Sequence, residues 1–404
     1  MKKNAFITAE YNPLHNGHLY HITQTKNAGA ENVIVIMSGN YVQRGECALF
    51  PKTERVKAAV DAGADLVLEL PLKYAVGGSA YFSYGAVKTA FLTGLDGTLS
   101  FGAESDIGKL RLAADFLKTN DVSEQIKEMC KCKGFTFPRA RQVIVERELG
   151  SEFLDTVSAP NNILALHYIA ESLRLNAPFD FFALERIGAP HDGMSFSAPE
   201  KGFAGAMQLR KLLTENSTES GLIRPYVPEC SFNRIRKCIE DGRYIDYKKF
   251  SFAAMSRLLS VKKNDLINVN GISQGLENVF FEAIRRSTTL DEVCAFAKSK
   301  RYTMSRLRQC CVGAALGIKK SDLTGDIPFV TVLGISQKGR EILREIDNNS
   351  STPFVGLLSQ AKKLGTNALR DVEIIENAEF LYNLCLHKPE KDFSPYKIKP
   401  YSRI

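Results

Sequence analysis

Residues Phe6–His21 read FITAEYNPLHNGHLYH, an apolar stretch that leads through a polar turn into a helical pattern. The turn carries His15-Asn16-Gly17-His18, and three of the six histidines of the chain fall inside the stretch. A helix that begins at such a turn offers unpaired backbone N–H groups and a positive dipole end, so it attracts phosphate. Gly17 lets the backbone approach a ligand, and two imidazoles can donate hydrogen bonds to phosphate oxygens. The stretch predicts a nucleotide site.

The bulk properties are typical of a globular protein. A length of 404 residues predicts two domains, and 44% hydrophobic residues supply ample core. No apolar run approaches the roughly 18 residues that span a bilayer. The apolar stretch after Lys2-Lys3 ends at Ala9, too early for a secretory signal. The nine cysteines lack the paired CxxC spacing of a zinc site. We expect a cytoplasmic protein with reduced thiols, no metal site of its own and no membrane partner.

Short apolar runs alternate with helical patterns in the first half of the chain. The runs are Ala5–Thr8, Val33–Met37, Leu66–Leu70, Thr98–Phe101 and Phe179–Leu184. Runs that are apolar on both faces and separated by helices predict an α/β fold, a doubly wound parallel sheet. Ligands of such sheets bind beyond the carboxyl ends of the strands. The HxGH turn (His15–His18), Ser38-Gly39-Asn40 and Gly102 should therefore line one crevice.

Near residue 215 the alternation of short apolar runs with helices gives way to mainly helical patterns. We predict a nucleotide-binding domain over residues 1–215, with a helical insertion at about 107–149, and a mainly helical, basic region over residues 216–404. Helical patterns in the second region are Tyr247–Leu259, Gly275–Arg286, Leu290–Lys298 and Met304–Leu316. Phe329–Leu333 is the one stretch there that resembles a strand.

Several cations follow the predicted strands and could contact a phosphate or a carboxylate. Arg44 lies beside a glycine after the second strand, and Lys52 and Arg55 lie on the first turn of the next helix. Arg186 follows the fifth strand, and Arg210 ends the stretch Gly205–Arg210. Each of them is as readily a solvated or structural side chain.

The segment 298–308, KSKRYTMSRLR, holds five cations and one tyrosine. A run of charge is more often only a solvated face. On a helical region beside a nucleotide site, in a chain of net charge +8, it favours a polyanionic partner. The predicted RNA-binding residues are Lys298, Lys300, Arg301, Tyr302, Arg306 and Arg308. The tyrosine could stack on an unpaired base.

The chain resembles a known family. Its HxGH turn is similar to that of the nucleotidyltransferases that make adenylates from ATP. The more specific resemblance is to the bacterial tRNA(Met) cytidine acetate ligase family. The motifs that carry it are AEYNP (9–13), SGNYVQRGE (38–46), GADLVLELP (63–71), LSFGAES (99–105), PNNILALHY (160–168), KSKRYTMSRLR (298–308) and VTVLGISQKGRE (330–341).

The resemblance implies a two-step reaction on elongator tRNA(Met). Acetate and ATP give acetyl-adenylate and pyrophosphate, and the N4 amine of the wobble cytidine then takes the acetyl group to form N4-acetylcytidine. His15 and His18 would stabilise the transition state at the α-phosphate, and Mg²⁺ would accompany the triphosphate. The implied ATP site comprises Ile7, Thr8, Ala9, Glu10, Tyr11, Asn12, Pro13, Leu14, His15, Asn16, Gly17, His18, Leu19, Tyr20, Gly102, Asn161 or Asn162, and Arg186.

The chain departs from the superfamily at one place. Where a Ser/Thr-rich motif ending in Ile-Arg is usual, residues 205–210 read GAMQLR, so only Arg210 of that phosphate clamp remains. Two other functions stay open. One is a small-molecule nucleotidyltransferase that adenylylates a phosphorylated cofactor precursor, which leaves the basic half without a role. The other is an RNA-binding protein without catalysis.

Overall fold

The computed structural model describes residues 1–132, 134–185, 203–215, 220–273, 275–300 and 302–403. The first half contains β1 (Asn4–Ala9), α1 (Asn16–Asn27), β2 (Asn32–Ser38), β3 (Tyr41–Val42), β4 (Glu46–Cys47), α2 (Lys52–Asp61), β5 (Leu66–Leu70), α3 (Leu72–Ala75), α4 (Ser79–Leu92), β6 (Gly97–Ala103), α5 (Ile107–Leu117), α6 (Asn120–Cys132), α7 (Phe137–Leu149), α8 (Leu154–Ser158), α9 (Pro160–Arg174) and β7 (Phe179–Glu185).

The second half is richer in helices. It contains α10 (Ala206–Glu215), α11 (Glu229–Glu240), α12 (Tyr247–Leu259), α13 (Lys263–Leu266), α14 (Leu276–Arg286), α15 (Leu290–Ala297), α16 (Met304–Ala315), β8 (Val330–Ile335), α17 (Gln337–Asn349), β9 (Phe354–Val355), α18 (Leu358–Ala361), α19 (Thr366–Leu384) and β10 (Tyr401–Ser402). In the described part of the chain, no helix has both the length and the apolar character needed to cross a membrane.

The main sheet has its strands in the order β10-β8-β5-β2-β1-β6-β7, and β9 pairs with β8 beside this path. β1 lies between β2 and β6 and is parallel to both, with Ile7 opposite Val35 and Ser100. β5 and β7 extend the parallel part. The α/β fold class predicted from the alternating runs is confirmed, and the carboxyl ends of β1, β2 and β6 share one edge.

Both faces of the sheet are buried, because side chains alternate along each strand. In β2, Val33, Val35 and Met37 pack in one apolar cluster with α1 and α2, whereas Ile34 and Ile36 pack in another with α4 and α9. This explains why the strands read as continuous apolar runs.

The predicted division at residue 215 does not separate a sheet from a helical region. β8, β9 and β10 come from the second half and join the sheet, with β8 antiparallel to β5. Leu66 pairs with Ile335, so the edge of the parallel sheet is covered by a strand almost 270 residues later in the chain. Residues 107–149, predicted as an insertion, contain the helices α5 to α7, and α6 and α7 share a small apolar core.

The helical part of the second half packs on the short hairpin formed by β3 and β4. Tyr41 and Cys47 of the hairpin belong to the same apolar core as α11 to α16. The Tyr41 hydroxyl donates to the carbonyl of Ala378 at 2.9 Å. At the tip, Gly45 has φ +73° and lies against the backbone of α16, where a Cβ would overlap Arg308 and Gln309. The hairpin therefore joins the helices to the edge of the sheet where ligands are expected.

Candidate active site

The HxGH turn forms the start of α1. His15 is the N-cap residue, and its Nδ1 accepts a hydrogen bond from the Gly17 amide at 3.1 Å. The His15 amide in turn donates to Nδ1 of His18 at 3.2 Å. The two rings stack with their centroids 3.7 Å apart. The turn thus holds both imidazoles side by side at the positive end of the helix.

The hydrogen bonds fix which nitrogen of each ring can act as a donor. Because each Nδ1 accepts a backbone N–H, each neutral ring carries its proton on Nε2. Both histidines therefore present an Nε2–H donor, the group that would contact a phosphate oxygen. The Gly17 amide, which the sequence suggested as a phosphate donor, already donates to His15.

The loop before the turn is held from several sides. Tyr11 has a left-handed backbone with φ +47°, and its buried ring meets His18 edge-on at 5.0 Å. Asn12 Oδ1 accepts from the Leu49 amide at 2.9 Å. Arg210 Nη1 donates to the Asn12 carbonyl at 2.9 Å, so α10 is bonded directly to this loop. The other residues of the predicted ATP loop lie in β1 (Ile7, Thr8, Ala9), in the loop (Pro13, Leu14) or in α1 (Asn16, Leu19, Tyr20).

Arg55 joins the carboxyl ends of β1 and β2. Its guanidinium is buried and donates to the carbonyls of Glu10, Ser38, Gly39 and Phe50. A planar fork with five N–H donors can serve several carbonyls at once, which the ammonium of a lysine cannot match in geometry. Arg55 therefore fixes the spacing between the two strand ends. The sequence named Arg55 only as an ambiguous cation, because nothing local distinguishes it from Lys52.

Glu10 and Arg44 lie where β1 meets the hairpin. Glu10 Oε1 accepts from the Gln43 amide at 2.8 Å. Burial raises the pKa of the Glu10 carboxyl, against the opposing charges of Arg210, Arg55 and Arg44. The Arg44 side chain is exposed and approaches the sulfur of Met207 at 3.9 Å. Arg44 and Arg210 thus both act on Glu10, at the start of the loop that leads to the histidines.

The opposite side of the crevice is formed by β6 and the start of α9. Gly102 lies near the end of β6, and Asn161 and Asn162 lie in the first turn of α9. Asn162 is fully buried, and its side-chain oxygen accepts from the amides of Glu104 at 2.8 Å and Ser105 at 3.1 Å. Its amide nitrogen donates to Ser105 Oγ and to the Asp155 carbonyl.

This bonding distinguishes the two asparagines that the sequence could not separate. Asn162 uses its side chain to hold the loop after β6. Asn161 is only partly buried and donates to the Glu104 carboxylate. Asn161 is therefore the better candidate of the two for contact with a nucleotide.

A third histidine lies behind the turn. His21 Nε2 is 2.8 Å from Ser100 Oγ, which in turn is 2.7 Å from Thr25 Oγ1. Burial lowers the pKa of His21 to about 4, so this ring is neutral near pH 7. Its hydrogen bond with Ser100 links α1 to β6 behind the HxGH turn. His21 lies outside the HxGH signature, one residue beyond the predicted ATP loop, and the sequence gave it no role.

Lys52 occupies a different environment from the one expected of a phosphate contact. It is buried, and its Nζ bridges Glu69 at 2.7 Å and Glu379 at 3.1 Å. Burial opposes its charge, but Glu379 and Glu69 together raise the pKa of Lys52. The ammonium is thus engaged in a link between α2, β5 and α19, and the predicted phosphate contact would require it to leave two carboxylates.

The basic segment 298–308 leads into α16, next to the hairpin. Lys298 and Lys300 are exposed. Arg308 forms ion pairs with Glu46 at 3.0 Å and Asp291 at 3.1 Å, so it anchors α16 to the hairpin. The ring of Tyr302 packs on the helical core, and its hydroxyl donates to the Ser273 carbonyl.

Arg306 covers the Tyr302 ring at 5.0 Å and donates to the Gly271 carbonyl through Nε and Nη2. The proposed base stacking on Tyr302 would therefore need Arg306 to move. Arg186 and Arg301, two other predicted site residues, lie outside the described residues.

Within the described ranges, no three His, Cys, Asp or Glu side chains converge as a metal-binding group. A divalent cation that accompanies a triphosphate takes most of its ligands from phosphate oxygens and water. The surroundings of the HxGH turn offer imidazoles, arginines and one buried carboxylate, Glu10, so such an ion would depend mainly on phosphate oxygens and water.

Comparison with known proteins agrees with this geometry. The model of the HIGH nucleotidyl transferase family matches residues 1–394. The tRNA(Met) cytidine acetate ligase of Caldanaerobacter subterraneus subsp. tengcongensis is 33% identical, over 88% of this chain and 89% of its own. The enzyme of that name from Clostridium perfringens (strain ATCC 13124) is 31% identical over 98% of both chains. The chain belongs to the tRNA(Met) cytidine acetate ligase family.

Solved structures show the same relationship. Thermotoga maritima TmcAL bound with alpha-thio ATP superposes with a TM-score of 0.90, at 27% identity and over 99% of both chains. The apo form of that protein gives a TM-score of 0.92 at 28% identity. The family membership predicted from the seven motifs is confirmed, and the fold is shared along the whole length, helical half included.

Proposed function

We propose that the protein is an ATP-dependent ligase that activates acetate as acetyl-adenylate and transfers the acetyl group to N4 of the wobble cytidine of elongator tRNA(Met), forming N4-acetylcytidine. The observation that carries the proposal is the pair of stacked imidazoles at the start of α1, each with its Nδ1 bonded to a backbone amide, in a chain of this family. The Nε2–H donors that this leaves suit charge that develops on a phosphate during displacement.

In the first step, an acetate oxygen attacks the α-phosphorus of ATP, and the bond to the bridging oxygen breaks. The products are acetyl-adenylate and pyrophosphate. His15 and His18 stabilise the negative charge on the phosphate oxygens, and Arg210 receives the outer phosphates. Arg44 holds the second substrate or a phosphate. Asn161 and Gly102 contact the nucleoside from the other side of the crevice. A Mg²⁺ ion, held mainly by the phosphate oxygens and water, would neutralise part of the triphosphate charge.

In the second step, the N4 amine of cytidine attacks the acetyl carbonyl, and AMP leaves with the carboxylate oxygen. The amine is a weak nucleophile because its lone pair is delocalised into the ring, so a mixed anhydride is needed as acyl donor. The anticodon base is already unpaired in its loop, which keeps the cost of presenting it low. The N4 amine loses one proton to solvent as the amide forms, and positioning supplies much of the rate.

The position of the helical half supports an RNA substrate. The exposed Lys298 and Lys300 precede α16, and α16 contacts the hairpin through Gln309, whose amide donates to the Gln43 carbonyl at 2.6 Å. The backbone amide of Gln43 also donates to the carboxylate of Glu10, which directly follows β1. A nucleic acid on the basic segment would therefore lie close to the crevice. A small-molecule nucleotidyltransferase would have no use for this arrangement.

The test is to incubate the protein with ATP and labelled acetate, with and without RNA. We expect acetyl-adenylate and pyrophosphate in both cases. Label should enter elongator tRNA(Met), and should not enter the same tRNA with uridine in place of the wobble cytidine. Pyrophosphate release with a phosphorylated metabolite and never with acetate would contradict the proposal. RNA binding without any pyrophosphate release would favour the non-catalytic alternative.

A further inference from the structure

Positive charge is concentrated in residues 262–308, which contain α13, α14, α15 and the start of α16. These 47 of 404 residues hold nine lysines and arginines against five aspartates and glutamates, so they supply half of the net charge of +8. Such an excess favours a partner of opposite charge. The proposed function uses only the end of this stretch, the basic segment 298–308. The helices α13 to α15 have no role in it.

Two cations of these helices lie around one aromatic ring. Arg285, in the last turn of α14, has its Cζ 3.5 Å from the ring centroid of Phe281, one turn earlier on the same helix. Lys263 of α13 has its Nζ 5.9 Å from the same centroid. Both side chains are exposed. The two positive charges are therefore close together, and an anion that contacts both removes their mutual repulsion.

Neither cation is neutralised by a carboxylate in the part of the chain that the structure describes. Glu282, one turn before Arg285, pairs instead with Arg286 at 3.5 Å. The Phe281 ring restricts the motion of the Arg285 guanidinium but leaves its N–H groups free. Less side-chain entropy is then lost when those groups bind a phosphate. A solvated arginine on a helix surface lacks this restriction.

A second ring on these helices is more accessible. Phe296 of α15 is 47% exposed, and the Cζ of Arg286 lies 5.8 Å from its centroid. Unpaired bases stack on exposed aromatic rings, and cations beside such rings contact the nucleic-acid backbone. A free phosphate ion would make no contact with this ring, whereas RNA would. The combination of cations and rings therefore favours RNA over a small anion.

The helices are connected to the edge of the sheet where the crevice lies. Residues 270–273 lead into α14, and the Gly271 carbonyl accepts hydrogen bonds from Arg306 of α16. Asn270 Nδ2 donates to the Gly77 carbonyl at 3.2 Å, just before α4. Gly77 follows β5 and α3, beyond the carboxyl end of that strand. RNA that reaches the crevice therefore passes close to the beginning of α14.

We propose that α13 to α15 form an RNA-binding surface, in which Arg285 and Lys263 bind backbone phosphates and Phe296 stacks on an unpaired base. The proposal rests on the proposed function, which supplies tRNA as the partner, and it extends the RNA contact beyond the basic segment 298–308. The backbone of the RNA is then held at two separate places on the helical half.

The test is the binding of elongator tRNA(Met) to the full chain, measured by fluorescence anisotropy at several salt concentrations. Arg285→Ala with Lys263→Ala should raise the Kd at least tenfold. The slope of log K against log salt should become shallower by about 0.7–1.8, according to whether one phosphate contact or two are lost. Circular dichroism checks the folding of each variant, and both substitutions change exposed side chains.

The matched control is Lys362→Ala with Lys363→Ala. It removes the same charge from two exposed residues, and Lys362 also lies on an aromatic ring, that of Tyr396, at 4.0 Å. These residues follow α18, which is next to β9 rather than in the helices α13 to α15. We expect the Kd of the control to stay within twofold of the native value.

A second pair of variants tests the stacking. Phe296→Ala should raise the Kd at least fivefold and leave the salt slope unchanged, because stacking releases no counterions. Phe252→Ala removes another ring of the helical half, one that is 77% exposed, and should change the Kd less than twofold. An equal loss in the two variants would contradict base stacking on Phe296.

Native affinity in the Arg285 and Lys263 double variant, or an equal loss in the Lys362 and Lys363 control, would overturn the proposal and leave this surface to a protein partner. Failure of the proposed function has a different result. In that case the native protein acetylates no RNA, whereas the direct binding measurement still decides whether the surface holds tRNA.

Discussion

The rings of His15 and His18 stack at 3.7 Å, and each ring accepts a backbone amide on Nδ1. The ring stacking and the two hydrogen bonds from backbone amides hold both imidazoles, each with an Nε2–H donor, side by side at the start of α1. A helix start without these rings would retain its dipole but lose two fixed donors. The pair is therefore the feature of the fold that most directly suits phosphate chemistry.

Replacing one ring tests this arrangement. We expect His18→Ala to lower acetate-dependent ATP–pyrophosphate exchange by about 100-fold or more, the size of the effect when one donor to a developing oxyanion is lost. tRNA binding, measured by filter retention, should stay within twofold. The matched control is His387→Ala, an exposed histidine that stacks on Tyr244. Exchange at the native rate in the His18 variant would remove the turn from the mechanism.

Arg210 should contribute mainly to the binding of ATP. Its guanidinium donates to the Asn12 carbonyl, which places its charge beside the loop. Losing a charge-assisted hydrogen bond of about 1.5–3 kcal/mol predicts a Kd for an ATP analogue raised roughly 10- to 100-fold in Arg210→Ala. Lys211→Ala is the control, since Lys211 is exposed and pairs only loosely with Glu215 at 4.0 Å. Equal affinities in the two variants would show that Arg210 has only a structural role.

Gly45 offers a way to separate the two steps of the reaction. A Cβ at Gly45 would overlap the backbone of α16, so Gly45→Ala should push the helix away from the hairpin. We expect acetyl transfer to tRNA to fall at least tenfold while pyrophosphate exchange changes less than threefold. Gly317→Ala is a close control, because Gly317 has a similar φ of +71° and nothing within 4 Å of the new Cβ. A parallel loss of both steps would contradict this role of the hairpin.

The exposed part of the basic segment should account for salt-dependent RNA binding. Lys298→Ala with Lys300→Ala should weaken tRNA binding and make the slope of log K against log salt shallower by about 1.4–1.8, for two lost phosphate contacts. A control with the same loss of charge is Lys127→Ala with Lys131→Ala, which changes exposed residues of α6. An identical slope in the two double variants would mean that residues 298 and 300 are merely solvated.

Much of the fold could be predicted from local pattern. The run Leu66–Leu70 is β5 to the residue, and Tyr247–Leu259 is α12 to the residue. These elements have strong periodicity and clear ends. The pairing of β8 with β5 was not predicted, because the two strands are far apart in the chain and no local pattern encodes their contact. The short β9 and β10 have too few residues for a period to be visible.

The residues of the site also divide into those that a local sequence pattern reveals and those whose role depends on distant contacts. The HxGH turn is contiguous, so its residue types and spacing reveal it. The bonds of Arg55, Arg210 and Lys52 are made with distant partners, and an arginine or lysine in a sequence gives no sign of whether it will meet carbonyls, a loop or two carboxylates. The covering of the Tyr302 ring by Arg306 likewise depends on how α16 packs.

The central claim is that acetate attacks the α-phosphorus of ATP at the HxGH turn. It is tested most directly by supplying acetate labelled with ¹⁸O on both oxygens, together with ATP and elongator tRNA(Met), and measuring the mass of the nucleotide product. An acetyl-adenylate whose acyl C–O bond is later broken leaves one acetate oxygen on the phosphate, so the account predicts AMP that carries a single ¹⁸O. AMP without the label, or ADP as the product, would contradict it.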